Sequence, residues 1–139
     1  MTKKIFLGFS ALFLFLSSCV NKQSTSTGEK NKIVLHFEID SSGNLLNKDV
    51  EEQLKKLAKE VSKNADKIMI TAYSEQTGSE EGNYNVSIQM ARAAKDAMLK
   101  GDVTRIFYNV GIDAKGYQNP INKNNPADPV NRRVEITYL

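Results

Sequence analysis

Three stretches of this chain carry incompatible hydrophobic periods, and their order restricts the fold more than any single motif does. Ile33, Leu35, Phe37 and Ile39 alternate with Val34, His36 and Glu38, the period of two expected of a strand with one buried face. Val50, Leu54, Leu57, Ala58 and Val61 then recur at helical spacing. Ile68 to Tyr73 is again short, apolar and β-prone. A strand, a helix and a strand joined by short links form a crossover unit, in which the two strands run parallel.

Local signals sharpen these elements. Asp40-Ser41-Ser42-Gly43-Asn44 ends the first strand with turn chemistry. Asn47 is placed to cap the first helix, whose opening turn carries Asp49, Glu51 and Glu52, and Lys55, Lys56, Lys59 and Glu60 form its solvated face. A second helix is expected over 85–100, with Met90, Ala94, Ala97 and Met98 on its packing stripe, Ile88, Arg92, Lys95 and Leu99 on the next, and Gly101 as its stop. Ile106 to Ala114 alternates as a third, long strand; an Asn- and Pro-rich loop covers 116–129, and Val134, Ile136 and Tyr138 mark a fourth. The order β-α-β-α-β-β predicts an α/β (α+β) domain with two helices on one face of a mixed four-stranded sheet.

The first nineteen residues stand apart from that domain. Lys3 and Lys4 precede the apolar run Ile5–Leu16, which is too short to span a bilayer comfortably and is followed by small residues, as in a secretory signal peptide. Leu16-Ser17-Ser18-Cys19 resembles a bacterial lipobox, in which the cysteine receives diacylglycerol and becomes the new N-terminus. A lone cysteine in an exported chain has no intramolecular disulfide partner, which agrees with a lipidated Cys19; an ordinary signal peptide with an incidental cysteine is the alternative. Residues 20–32, VNKQSTSTGEKNK, are polar and without period, so they read as a flexible tether that reaches at most about 45 Å. Residues 33–139 are then the folded domain. Removing residues 1–19, which hold Lys3, Lys4 and no acid, takes the formal charge from +3 to +1, so no basic body remains to argue for nucleic acid.

The chemistry concentrates between the second strand and the second helix, in Ala72–Ala93. Glu75, Glu80 and Glu81 lack a second fixed carboxylate for acid-base work, no Ser-His-Asp set or phosphate loop is visible, and His36 has no partner ligand for a metal. The chain therefore reads as a binding protein rather than an enzyme, with no cofactor. A carboxylate at a strand end and an arginine on the following helix suit a zwitterion, Glu75 taking an ammonium and Arg92 a carboxylate. From spacing alone, the other reading is a solvated loop residue and a helix-surface residue.

The same residues resemble a known family: the OmpA-like, peptidoglycan-associated domain of Gram-negative outer-membrane proteins and lipoproteins, over roughly 33–139. Phe37-Glu38-Ile39-Asp40 is similar to its F-x-x-D, Ala72 to Gly78 to its G-H-T-D-x-x-G, Asn85 to Ala93 to its N-x-x-L-S-x-x-R-A, Gly116 through Pro120 to Asn124 to its G-x-x-x-P-x-x-x-N, and Asn131-Arg132-Arg133-Val134-Glu135 to its closing N-R-R-V-E. The resemblance implies the β-α-β-α-β-β fold and binding of diaminopimelate in the peptidoglycan stem peptide. In that match Glu75 stands where the family has aspartate and Arg92 where it has arginine, with Asp40, Asn85 and Arg132 as supporting positions. Three departures accompany it: glutamate for aspartate at Glu75, Ala72 and Gln89 for glycine and serine, and two extra residues between Gly78 and Asn85. The implied protein is a lipoprotein on the periplasmic side of the outer membrane that ties this membrane to peptidoglycan; no acidic run follows Cys19, and Val20 is not the aspartate of inner-membrane retention. The alternative is an assembly lipoprotein of an envelope complex, partnered by other envelope proteins, that keeps the fold but has weakened or lost the ligand.

Overall fold

The computed structural model describes residues 31–65, 67–102 and 110–138. The expected signal peptide, Cys19, nearly all of the tether and residues 106–109 of the third strand lie outside the described residues. The elements run β1 (Asn31–Leu35), α1 (Lys48–Asn64), β2 (Ile68–Tyr73), α2 (Glu80–Gly101), β3 (Val110–Ala114), a short 3-10 turn (Pro129–Asn131) and β4 (Arg133–Tyr138).

The sheet order is β1-β4-β2-β3, with β4 antiparallel to both neighbours and β2 parallel to β3. The two strands of the first crossover unit are therefore parallel but not adjacent, because the last strand of the chain inserts between them. Apolarity explains its central place. Ile136 lies opposite Ile33 on one side and Ile70 on the other, and Val134 opposite Leu35 and Ala72, so β4 completes two unbroken apolar rows. Val34, Met69, Thr71, Glu135 and Thr137 alternate onto the opposite face and are half-buried.

Both helices pack on the apolar rows to form one core. In α1 the stripe Val50, Leu54, Leu57, Ala58 and Val61 is buried throughout. Burying one such Leu or Val is worth about 2 kcal/mol, against a few tenths for a surface pair such as Lys55–Glu51, so packing sets this helix. Asn47 does occupy the N-cap, but its side chain accepts from the Glu38 amide at 2.8 Å instead of capping the helix. This bond, together with the Ile39–Leu45 bridge, closes the turn between β1 and α1.

The second helix begins five residues earlier than its periodicity predicts. Ser79 Oγ accepts from Gly82 N at 3.0 Å, and Glu80 and Glu81 in the first turn favour the positive end of the helix dipole. Its inner stripe of Met90, Ala94, Ala97 and Met98 is buried as expected. Gly101 is the last helical residue; a Cβ there would overlap the Lys55 backbone, so the glycine lets α2 approach α1 closely. β1 ends at Leu35, short of the expected Ile39, because the strand opposite, β4, begins only at Arg133, after the 3-10 turn.

Candidate functional site

β2 delivers its end into a corner where three loops meet. Ser74 N donates to Gly116 O at 2.7 Å, Gln76 N to Pro126 O at 2.9 Å, and Thr77 N to Asn83 Oδ1 at 3.3 Å. The loop after β2 is thus strapped to the 115–126 loop and to the first turn of α2. Gly116 adopts φ of +55° and packs against the Tyr84 backbone, while its amide donates to Ser87 Oγ at 3.0 Å.

The Asn131-Arg132-Arg133 run builds the floor of this corner and divides its labour by direction. Asn131, 1% exposed, donates through Nδ2 to the carbonyls of Asn122, Asn125 and Pro126 and accepts from Asn122 N. Arg133 is buried with its guanidinium 3.8 Å from the Tyr73 ring centre, and it donates to Glu135, Asn131 O and Asn119 O. Arg132 points the other way, with Nε 3.2 Å from Glu75 Oε2 and a terminal nitrogen 4.0 Å from Glu38 Oε1. His36 Nδ1 donates to the Arg132 carbonyl at 3.0 Å and helps fix that backbone. The two arginines part because Arg133 opens β4 opposite Tyr73, whereas Arg132 is the residue that closes the 3-10 turn.

The sequence-predicted residues do not all meet. Glu75 and Arg132 do, with 15% and 25% of their side chains exposed. Asp40 is taken up by its own turn: its carboxylate accepts from Ser42 N, Asn44 N and Asn44 Nδ2, and the Asn44 bonds foremost hold its pKa below the usual carboxylate value. The turn touches α2 through Gly43 and Gln89. Asn85 and Arg92 lie on the exposed flank of α2, and no ion pair joins Arg92 to Glu75.

Burial on α2 explains why. Asn83, Ser87, Met90 and Ala91 face inward at 1% exposure or less. Read from Asn83, the spacing N-x-x-L-S-x-x-R-A falls on Asn83, Val86, Ser87, Met90 and Ala91, with the serine restored and no extra residues in the preceding loop. The buried side of α2 thus fits the pattern two residues before the Asn85–Ala93 match, a register in which Met90 falls on the position of its arginine. Two residues turn a helix by about 200°, so the exposed Arg92 lies on the side of α2 opposite the buried Met90.

Three polar atoms at the corner are buried without a hydrogen-bond partner: Ser74 Oγ, Glu75 Oε2 and Asn83 Nδ2. Glu75 Oε2 has the Arg132 charge at 3.2 Å, yet the contact lacks hydrogen-bond alignment, so it is an ion pair only. Unpaired buried polar atoms cost roughly 1–3 kcal/mol each. Glu75 and the exposed Glu38 both face the Arg132 guanidinium, and an ammonium beside Glu75 would meet carboxylate on that side. Two clefts flank it, one of about 250 Å³ that Arg132, His36 and Phe37 help line, the other of about 550 Å³ between Glu80, Glu81 and Tyr84 of α2 and residues 115–118.

Comparison with known proteins agrees with this architecture. No curated protein matches the chain. Among solved structures it is similar to the OmpA-like domain of FopA1 from Francisella tularensis, at 21% identity, TM-score 0.64, and coverage of 81% of this chain and 75% of that one. It is similar to the periplasmic domain of Helicobacter pylori MotB, at 17% identity, TM-score 0.63 and coverage of 81% and 78%. A third similarity is to the cell wall anchor of the T6SS from Pseudomonas aeruginosa, at 18% identity, TM-score 0.61 and coverage of 79% and 81%. The family model of the OmpA family matches residues 37–133, the span that holds both helices, the Glu75 corner and the start of β4, and the chain belongs to that family.

Proposed function

We propose that this chain is a non-enzymatic envelope anchor that grips an amine of the peptidoglycan stem peptide at the Glu75–Arg132 corner. The observation that carries the reading is the buried Glu75 Oε2, ion-paired to Arg132 but unbonded, beside the equally unpaired Ser74 Oγ and Asn83 Nδ2. Asp40 shapes the neighbouring turn, and Asn85 and Arg92 stand outside the grip. Support for a cell-wall ligand comes from the family and from the similarity to a cell wall anchor. Among the described residues no helix is long and apolar enough to cross a membrane, and attachment is assigned to a lipid on Cys19 at the periplasmic face of the outer membrane.

The test is co-sedimentation of the full chain, purified in detergent, with peptidoglycan sacculi. Wild type is expected in the pellet and the Glu75→Ala, Arg132→Ala double variant in the supernatant; retention of the double variant would sink the site. A Cys19→Ala chain is expected to lose its acyl mass and leave the membrane fraction, and persistence there would refute lipidation. Met90 in place of an inward arginine favours a second reading, an assembly lipoprotein without the ligand. Wild-type protein that stays in the supernatant while recovering envelope proteins would establish it.

A further inference from the structure

The corner's charges also select among amines. Resting on the peptidoglycan reading above, we infer that the amine bound at Glu75 belongs to a diamino acid with no free carboxylate beside that amine, such as lysine or ornithine, rather than to diaminopimelate.

Two sets of observations support this. The first is what the corner can accept. Glu75 at 3.2 Å and the exposed Glu38 at 4.0 Å both face the guanidinium of Arg132, and Glu75 Oε2 is buried with no aligned donor. Asn83, 1% exposed, has its Oδ1 bonded to Thr77 N, while its Nδ2 is a buried donor without an acceptor. A ligand ammonium would meet the need of Glu75, whose side chain is 15% exposed.

The second is what the corner lacks. The carboxylate of a zwitterionic side-chain end requires a second cation. Arg132 already faces two carboxylates. The inward side of α2 offers Ser87, Met90 and Ala91, all uncharged and fully or nearly fully buried. Arg92 is on the exposed flank, Lys95 donates to Val110 O at 3.2 Å, Lys115 is paired with Asp113 at 2.8 Å, and Lys123 is exposed in its loop. Among the described residues, a second carboxylate would find no free cation facing the corner, which is costly wherever water is excluded.

The experiment uses the full chain in detergent and fluorescent stem tetrapeptides that differ only at the diamino acid: lysine, ornithine, diaminopimelate, or diaminopimelate with its side-chain carboxylate amidated. Fluorescence anisotropy is expected to show the lysine or ornithine peptide binding at least about tenfold tighter than the diaminopimelate peptide. Amidation should recover most of that difference, and Glu75→Gln should weaken every peptide. Diaminopimelate binding as tight as lysine or ornithine would overturn the inference while leaving the peptidoglycan reading intact. Absence of binding to all four peptides and to sacculi would overturn both.

Discussion

Glu75 and Arg92 lie seventeen positions apart in one strand-loop-helix unit, and the fold treats them in opposite ways. Glu75 is drawn into a corner, 15% exposed and 3.2 Å from Arg132, whereas Arg92 projects from the exposed side of α2. The difference lies in what surrounds each backbone. The loop of Glu75 is strapped by three hydrogen bonds to the 115–126 loop and the first turn of α2, which fixes the backbone that carries its side chain. The direction of Arg92 follows from helix phase, which is set by the apolar side: once Met90, Ala94, Ala97 and Met98 are committed to the core, position 92 faces away. Candidate site residues must therefore be judged by the phase of their element as well as by spacing.

If support is what separates the two residues, the largest effect should come from removing the support of Glu75. Asn131→Ala would remove the one side chain that donates to the carbonyls of Asn122, Asn125 and Pro126 and accepts from the Asn122 amide, in a part-buried place. A loss of about 3 kcal/mol is expected in chemical denaturation. A loss under about 1 kcal/mol would show that the loop stands without this hub and that Glu75 is held otherwise. Next in size is Glu75→Gln, which keeps the shape but removes the charge. Binding of the amine-bearing peptide should fall by about 2 kcal/mol, the scale of one charge-assisted hydrogen bond, with little change in stability.

How much of this was legible in the sequence follows the same division. The strands of 68–73 and 133–138 and the buried stripes of both helices were readable because period and apolarity are local signals. The β1-β4-β2-β3 order was not, since nothing local says that the last strand enters the middle of the sheet. The early start of α2 was obscured by the glutamates, Gly82 and asparagines of its first turns, whose helical place depends on the Ser79 cap. The site was half legible. Glu75 and Arg132 could be named from their motifs, but the register of α2 required knowing that Asn83 and Ser87 are bonded inward to Thr77 and Gly116.

A smaller effect separates the two regions by pH. Burial by itself raises the pKa of Glu135, but bonds and charge from Lys32 and Arg133 outweigh it and hold the group below the ordinary value of about 4.5. A carboxylate depressed in the folded state contributes stability above its unfolded pKa and loses it as pH falls through the folded one. Stability should therefore decline below about pH 4.5, and in Glu135→Gln that decline should be shallower in denaturation midpoints taken from pH 6 to pH 3. An unchanged slope would remove the Lys32–Glu135–Arg133 chain from the account of how the NRR segment is held.

The smallest expected effect is the most discriminating. Arg92 has no hydrogen bond or ion pair among the described residues, and alanine is at least as good a helix former as arginine, so Arg92→Ala should change stability by no more than about 0.5 kcal/mol. Peptide binding should likewise stay within about twofold, because Arg92 projects from the exposed side of α2 and makes no ion pair with Glu75. The measurement is a sacculus titration of wild type beside Arg92→Ala, with Glu75→Gln as the variant that must fail. Should Arg92→Ala lose binding as fully as Glu75→Gln, the two residues would form one clamp after all. The phase argument, the displaced motif and the preference for a lysine- or ornithine-type amine would then fall together, because all three rest on Arg92 facing water.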